Sequence, residues 1–193
     1  MLLFFLTIFP ISLMPGINMT YALNLGIARG YLKALPALLA QVLGVTLVAL
    51  ACIFGVAGIL LAHPAALSAI KILGGAYIFY LGIATFLARG NFKLQKQKRS
   101  ENIFLQGFVV AVSNPKAWIF FTALFPPFLD ADNLFGARTF ALVATLCVSE
   151  SICLSIYALG GAVLKNLLKT HLKYLEIFCS VLMCTIGLWM ILG

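Results

Sequence analysis

Six apolar runs, each long enough to cross a bilayer as a helix, fill most of this chain and close off nearly every water-soluble fold. They cover residues 1–26, 34–62, 67–88, 103–129, 138–164 and 174–192. A spanning helix needs about 20 mostly apolar residues, and backbone exposed to lipid must satisfy its own hydrogen bonds, so such runs become helices. The short connections leave no length for a soluble appendage, and 1–193 reads as a single transmembrane domain. Composition agrees, with 63% hydrophobic and 9% charged residues, against roughly 45–50% and 25% in soluble domains. No basic stretch precedes the first run and no clear small-residue cleavage site follows it, so it reads as a retained helix and not as a signal peptide.

The connections divide by charge. Arg29 and Lys33 lie between runs one and two. Arg89, Lys93, Lys96, Lys98 and Arg99 lie between runs three and four, and Lys165, Lys169 and Lys173 between runs five and six. The alternate connections hold His63, Pro64, Asp130, Asp132 and Arg138. Ten basic residues thus fall on one side and one on the other. The positive-inside rule puts the basic side in the cytoplasm and both termini outside, and an odd number of spans would break this alternation. The net charge of +8 is therefore topological, and no aromatic-basic face offers itself to nucleic acid.

Residues 1–88 and 103–193 form two halves of three spans, joined by a basic cytoplasmic loop, 89–102. A three-span unit reverses its direction when repeated, so the expected fold is an all-α membrane protein of six transmembrane helices in two inverted three-helix repeats. Helices one and four are expected to be broken, at Met14-Pro15-Gly16-Ile17-Asn18 and Ser113-Asn114-Pro115-Lys116. Pro15 and Pro115 stand 100 positions apart. Proline removes a helical hydrogen bond and clashes with the carbonyl four residues earlier, here those of Ile11 and Ala111. Gly16 lets the chain unwind further. A single kink is compatible with plain packing, whereas interrupted helices at matching positions of two halves point to a transport site.

Three ionisable residues stand out within the runs. Lys116 and Glu150 fall near the centres of helices four and five, where a charge costs about 2.5–3.5 kcal/mol on insertion scales. Lys71 lies about one turn inside the outer end of helix three, where its stem can snorkel to the interface. Lys116 and Glu150 suit either a structural ion pair or a substrate site, and a carboxylate so placed could take up and release a proton. Ser149 and Ser151 flank Glu150, and Cys147 and Tyr157 share its helix face. Asn18 and Asn114 adjoin the breaks, while Asn24, Gln41, Thr46, Tyr77 and Thr122 are buried polar groups that serve packing or a site. Gly26-x3-Gly30 and Gly74-Gly75 allow close helix approach, within the chain or across a homodimer. The five cysteines all lie in apolar runs without a CxxC pair, and with two histidines they make no zinc spacing. No metal or cofactor is expected.

Taken in order, Met14-Pro15-Gly16-Ile17-Asn18-Met19, then Leu25-Gly26-Ile27-Ala28-Arg29-Gly30, Lys71-Ile72-Leu73-Gly74-Gly75-Ala76-Tyr77, Phe104-Leu105-Gln106-Gly107 and Asn114-Pro115-Lys116-Ala117 resemble the LysE/RhtB superfamily of bacterial amino-acid exporters. Residues 10–130 carry the motifs. The resemblance implies proton-driven export of amino acids or related metabolites across the inner membrane, and it places Pro15, Gly16, Asn18, Asn114, Pro115 and Lys116 at motif positions. Ile17 stands where the family usually has a second proline.

The expected mechanism is alternating access about a midplane site, with the two halves rocking. One helix break, with Lys116 nearby, would receive the substrate carboxylate, because a helix N-terminus carries partial positive charge. Glu150 would receive the ammonium group or carry the exchanged proton. With Gln41 these residues form the candidate site. A lone midplane carboxylate suits a neutral amino acid better than a dibasic one. A metal or ion transporter, or a non-transporting membrane assembly component, are the alternatives. An intramembrane enzyme finds no HExxH, GxSxG or paired-aspartate motif.

Overall fold

A computed structural model describes the backbone of residues 1–62, 66–88, 102–130, 133–163 and 165–192. Within these it describes all side chains except those of 56–62, 66–68, 70, 71, 88, 161–163, 165–172 and 175. His63, Pro64, Asp132, the five basic residues of 89–99, and the side chains of Lys71, Lys165 and Lys169 therefore lie outside the described residues.

The described residues are helical throughout, without strands. In order they form α1 (Leu2–Leu13), α2 (Ile17–Arg29), α3 (Tyr31–Ala62), α4 (Ala66–Ala88), α5 (Ile103–Val112), α6 (Pro115–Leu124), α7 (Ala137–Val163) and α8 (Lys165–Leu192). A short 3₁₀ turn, Pro126–Phe128, follows α6. The last helix begins nine residues before the apolar run that predicts it. Its basic first turns are good helix formers and prolong the helix beyond the apolar stretch.

Both expected breaks are present. α1 and α2 meet at 58°, and α5 and α6, with its 3₁₀ turn, at 50°. Tyr31–Gly55 and Ala137–Gly160 are each long and apolar enough to cross a membrane, and counting each bent pair as one span brings the total to four. The described apolar parts of α4 and α8, Ile72–Leu87 and Glu176–Leu192, are shorter.

The helices exchange partners between the halves. α4 packs on α8, α3 on α5 and α6, and α7 on α1 and α2. Small residues let the backbones touch. Gly26 faces the Ala158 backbone, Gly74 faces Ala123, Gly75 faces Gly187, and a side chain on Gly107 would meet the Ala37 carbonyl at 2.5 Å. The glycines of the two small-residue motifs, Gly30 excepted, thus serve contacts inside the chain. Gly30 ends α2 at φ +77° with nothing around it. Leu39, Leu43 and Leu47 form an outward stripe on α3, while Leu38, Gln41, Val45 and Val48 point inward. A large aliphatic face turned outward suits hydrocarbon and not water. All five cysteines are free thiols.

Candidate functional site

Each break is a local answer to proline chemistry. The Ile11 and Ala111 carbonyls, expected to be left open, are not. Met14 N–H bonds Ile11 O at 3.3 Å, and Asn114 N–H bonds Ala111 O at 3.3 Å. The chain tightens to i→i+3 bonds just before each proline, and the last residue of each first half-helix is left with a carbonyl that no helical N–H reaches. Those residues are Leu13 and Val112, and an aromatic donor serves each one. Tyr157 Oη donates to Leu13 O at 2.9 Å, and Trp118 Nε1 donates to Val112 O at 2.7 Å. Neither donor is foreshadowed as such by the sequence, because Tyr157 arrives from a helix far along the chain.

The second half-helices begin differently. Asn114 caps α6, its Oδ1 accepting from Lys116 N–H at 3.1 Å, with Pro115 in the first turn, where its missing N–H costs nothing. α2 starts at Gly16 with no side-chain cap, so its first N–H groups stay open. Gly16 is extended, at φ −154°, a conformation open to any residue. A Cβ there would sit at ordinary contact distance, 3.9 Å from Lys116 Nζ and 3.8 Å from Met14 O. The Lys116 side chain therefore reaches from the second break to the first.

Between the breaks lies a cavity of about 50 Å³, lined by Gly16, Asn18, Asn114, Lys116 and Glu150 among the expected residues. Asn114 Nδ2 donates to Asn18 Oδ1 at 3.3 Å, which ties the two halves together at the midpoint. Ser12, Asn18 and Lys116 line the cavity beside the Glu150 carboxylate and lie within its electrostatic reach. Glu150 is 5% exposed. Ile8, Ile11, Met14, Val45, Phe120 and Phe121 supply an apolar wall.

Three expected residues are not on this surface. Pro15 and Pro115 shape the breaks without lining the cavity. Gln41 is fully buried one turn from Val45, and neither its amide nitrogen nor its oxygen finds a partner. Ser12 was legible only as another small residue in an apolar run, although it lines the cavity with Glu150 from the opposite half. Glu176, on α8, is a second buried carboxylate at 5% exposure, overlooked because it lies close to the end of its apolar run. No group of three or more His, Cys, Asp or Glu able to hold a metal occurs among the described residues.

Residues 9–193 match the LysE type translocator family. The chain is 26% identical over 177 residues to the leucine efflux protein of Salmonella typhimurium, covering 89% of this chain and 84% of the relative. A leucine efflux protein of Enterobacter is 26% identical over 170 residues, 86% and 81% of the two chains. An uncharacterised membrane protein of Pseudomonas aeruginosa is 30% identical over 146 residues, 70% and 67% of the two. No solved structure matches. With its paired broken helices and a match over nearly its whole length, the chain belongs to the LysE type translocator family of membrane efflux proteins, which are not enzymes.

Proposed function

We propose that this protein exports neutral amino acids with aliphatic side chains, leucine foremost, by proton-coupled alternating access across the bacterial inner membrane. The observation that carries this reading is the cavity between the breaks, which offers one cation, one carboxylate and an apolar wall. Those are the three features that a zwitterion with a hydrocarbon side chain requires. The relatives named for leucine efflux point to the same substrate.

The substrate carboxylate binds at the open N-terminus of α2, beside Lys116. That end lacks a side-chain cap, whereas Asn114 already occupies the corresponding end of α6, so only the first break offers free N–H groups. The ammonium group faces Glu150, which shares the cavity with Ser12 and Asn18. The side chain lies against Phe120, Phe121 and Ile11. Gln41 and Ser149, buried with unmet polar atoms, join the site when it opens.

A six-span bundle of two inverted halves, with both termini outside, suits the matching i→i+3 bonds one hundred positions apart and the exchange of packing partners. A cavity of about 50 Å³ holds a few waters and not an amino acid, since ligand pockets run to about 300–1,000 Å³. The halves must therefore part to admit substrate.

Counterflow in proteoliposomes tests the reading. Vesicles loaded with unlabelled leucine, threonine or lysine are assayed for uptake of each labelled compound. Saturable counterflow of leucine, weaker for threonine and absent for lysine, is expected. Preferred lysine counterflow would overturn the substrate assignment, and none at all would overturn transport of amino acids.

A further inference from the structure

Only five acidic residues occur in the chain. Asp130 is exposed, Glu101 and Asp132 lie outside the described residues, and the remaining two, Glu150 and Glu176, are each 5% exposed inside the bundle. Burying a carboxylate among apolar helices is costly, and such groups commonly mark ion or proton paths. The proposed site uses Glu150 and leaves Glu176 without a task.

Their surroundings connect them. On α7, Glu150, Cys153 and Tyr157 share one inward face at spacings of three and four residues, and all are at most 5% exposed. From Glu150 to Tyr157 is about 10 Å along the helix axis. On α8, Glu176, Cys179 and Ser180 form a second buried polar patch. α7 and α8 are in contact, and α1 touches both. Electrostatic neighbours bridge the patches. Tyr157 lies within reach of Glu176, Cys179 and Cys153, Cys179 within reach of both Lys116 and Glu176, and Cys153 within reach of Glu150. Among the groups that face this seam are Lys116 from α6, Glu150, Cys153 and Tyr157 from α7, and Glu176 and Cys179 from α8. Glu176 stands at the end where Lys173 is exposed, the basic side of the chain and so the cytoplasmic side.

We propose that Glu176 is the cytoplasmic relay carboxylate of the coupling path, receiving the proton that Glu150 releases when substrate binds and passing it to the cytoplasm. This rests on the exporter reading above. In the step, the proton leaves the Glu150 carboxyl as the substrate ammonium replaces it, crosses the Tyr157–Cys179 seam and protonates the Glu176 carboxylate. Glu176 then loses it to the cytoplasm, so one proton enters for each amino acid exported. A carboxylate at each end of the seam gives the proton a group that can hold it, which an apolar passage would lack.

Glu176→Gln is compared with the unaltered protein in two assays on the same proteoliposomes. One is leucine counterflow at equal pH, which moves no net proton, and the other is accumulation of labelled leucine driven by an imposed pH gradient. Counterflow within twofold of the unaltered protein, with gradient-driven accumulation at least tenfold slower and restored by Glu176→Asp, is the expected result. Glu176→Met, which requires no hydrogen-bond partner, is the second variant should Glu176→Gln fail to yield monodisperse protein, and the same result is expected of it. Gradient-driven transport that remains normal in the variant overturns the relay. Loss of both activities from folded variant protein also overturns it, because Glu176 would then belong to the substrate path or the framework. No counterflow by the unaltered protein would sink the exporter reading itself, and the relay with it.

Discussion

At the residue scale, the proposed cycle has Lys116 and Glu150 divide the recognition of a zwitterion between them. Lys116 Nζ lies beside Gly16 at the uncapped start of α2, where an anion gains from both the ammonium charge and the helix end. Lys116→Ala should raise the concentration for half-maximal leucine counterflow at least tenfold, measured as initial rate against leucine concentration. An unchanged half-saturation value would remove Lys116 from the site. Glu150 shares the cavity with Ser12 and Asn18, polar neighbours that glutamine can keep while losing the titratable proton. Glu150→Gln should therefore reach the membrane folded yet lose proton-coupled efflux, read as the absence of leucine-dependent alkalinisation or acidification with an entrapped pH dye.

The helix breaks are the features that matter at the element scale, and their stability rests on donors borrowed from elsewhere. Tyr157 meets the last carbonyl of α1 and Trp118 that of α5. Removing a donor from a buried carbonyl costs about 1–3 kcal/mol. Tyr157→Phe keeps the ring and deletes only the bond, so a lower unfolding temperature in detergent is expected, with a larger drop than for Trp118→Phe. The Tyr157 ring is 1% exposed, whereas the Trp118 side chain is 41% exposed. Equal stability of Tyr157→Phe and the unaltered protein would show that Leu13 O finds another donor. Close packing is the other demand on the elements. Gly26 has the Ala158 backbone where a Cβ would go, so Gly26→Ala forces α2 away from α7 and should cost about 1–3 kcal/mol, visible as an earlier thermal transition on size-exclusion chromatography. Gly16→Ala, whose Cβ would meet its neighbours only at ordinary contact distance, should leave that transition in place.

For the whole molecule, the proposed exchange of one proton inward for one zwitterion outward moves one net positive charge into the cell. Each 100 mV, negative inside, then supplies about 2.3 kcal/mol, enough for roughly a 50-fold leucine gradient. A potassium diffusion potential imposed at equal pH should drive leucine movement on its own in proteoliposomes, followed with labelled substrate. Indifference to the potential would mean an electroneutral cycle and a different stoichiometry.

The sequence by itself determined that the chain is helical and membrane-bound, and where its helices break. Hydrocarbon forbids unpaired backbone, proline forbids an uninterrupted helix, and both signals are local. It also placed Asn18, Asn114, Lys116 and Glu150 at matching depths, since a charge in the middle of an apolar run is conspicuous. Only the tertiary structure decided which of these meet. It set Gln41 off the cavity surface, brought Ser12 to the cavity beside Glu150, gave the Leu13 carbonyl its donor in Tyr157, and buried Glu176 within electrostatic reach of Tyr157. Those relations join residues of helices far apart in the chain. They depend on how helices cross and rotate, which the periodicity of uniformly apolar runs does not specify, because such runs have no polar face to give their orientation.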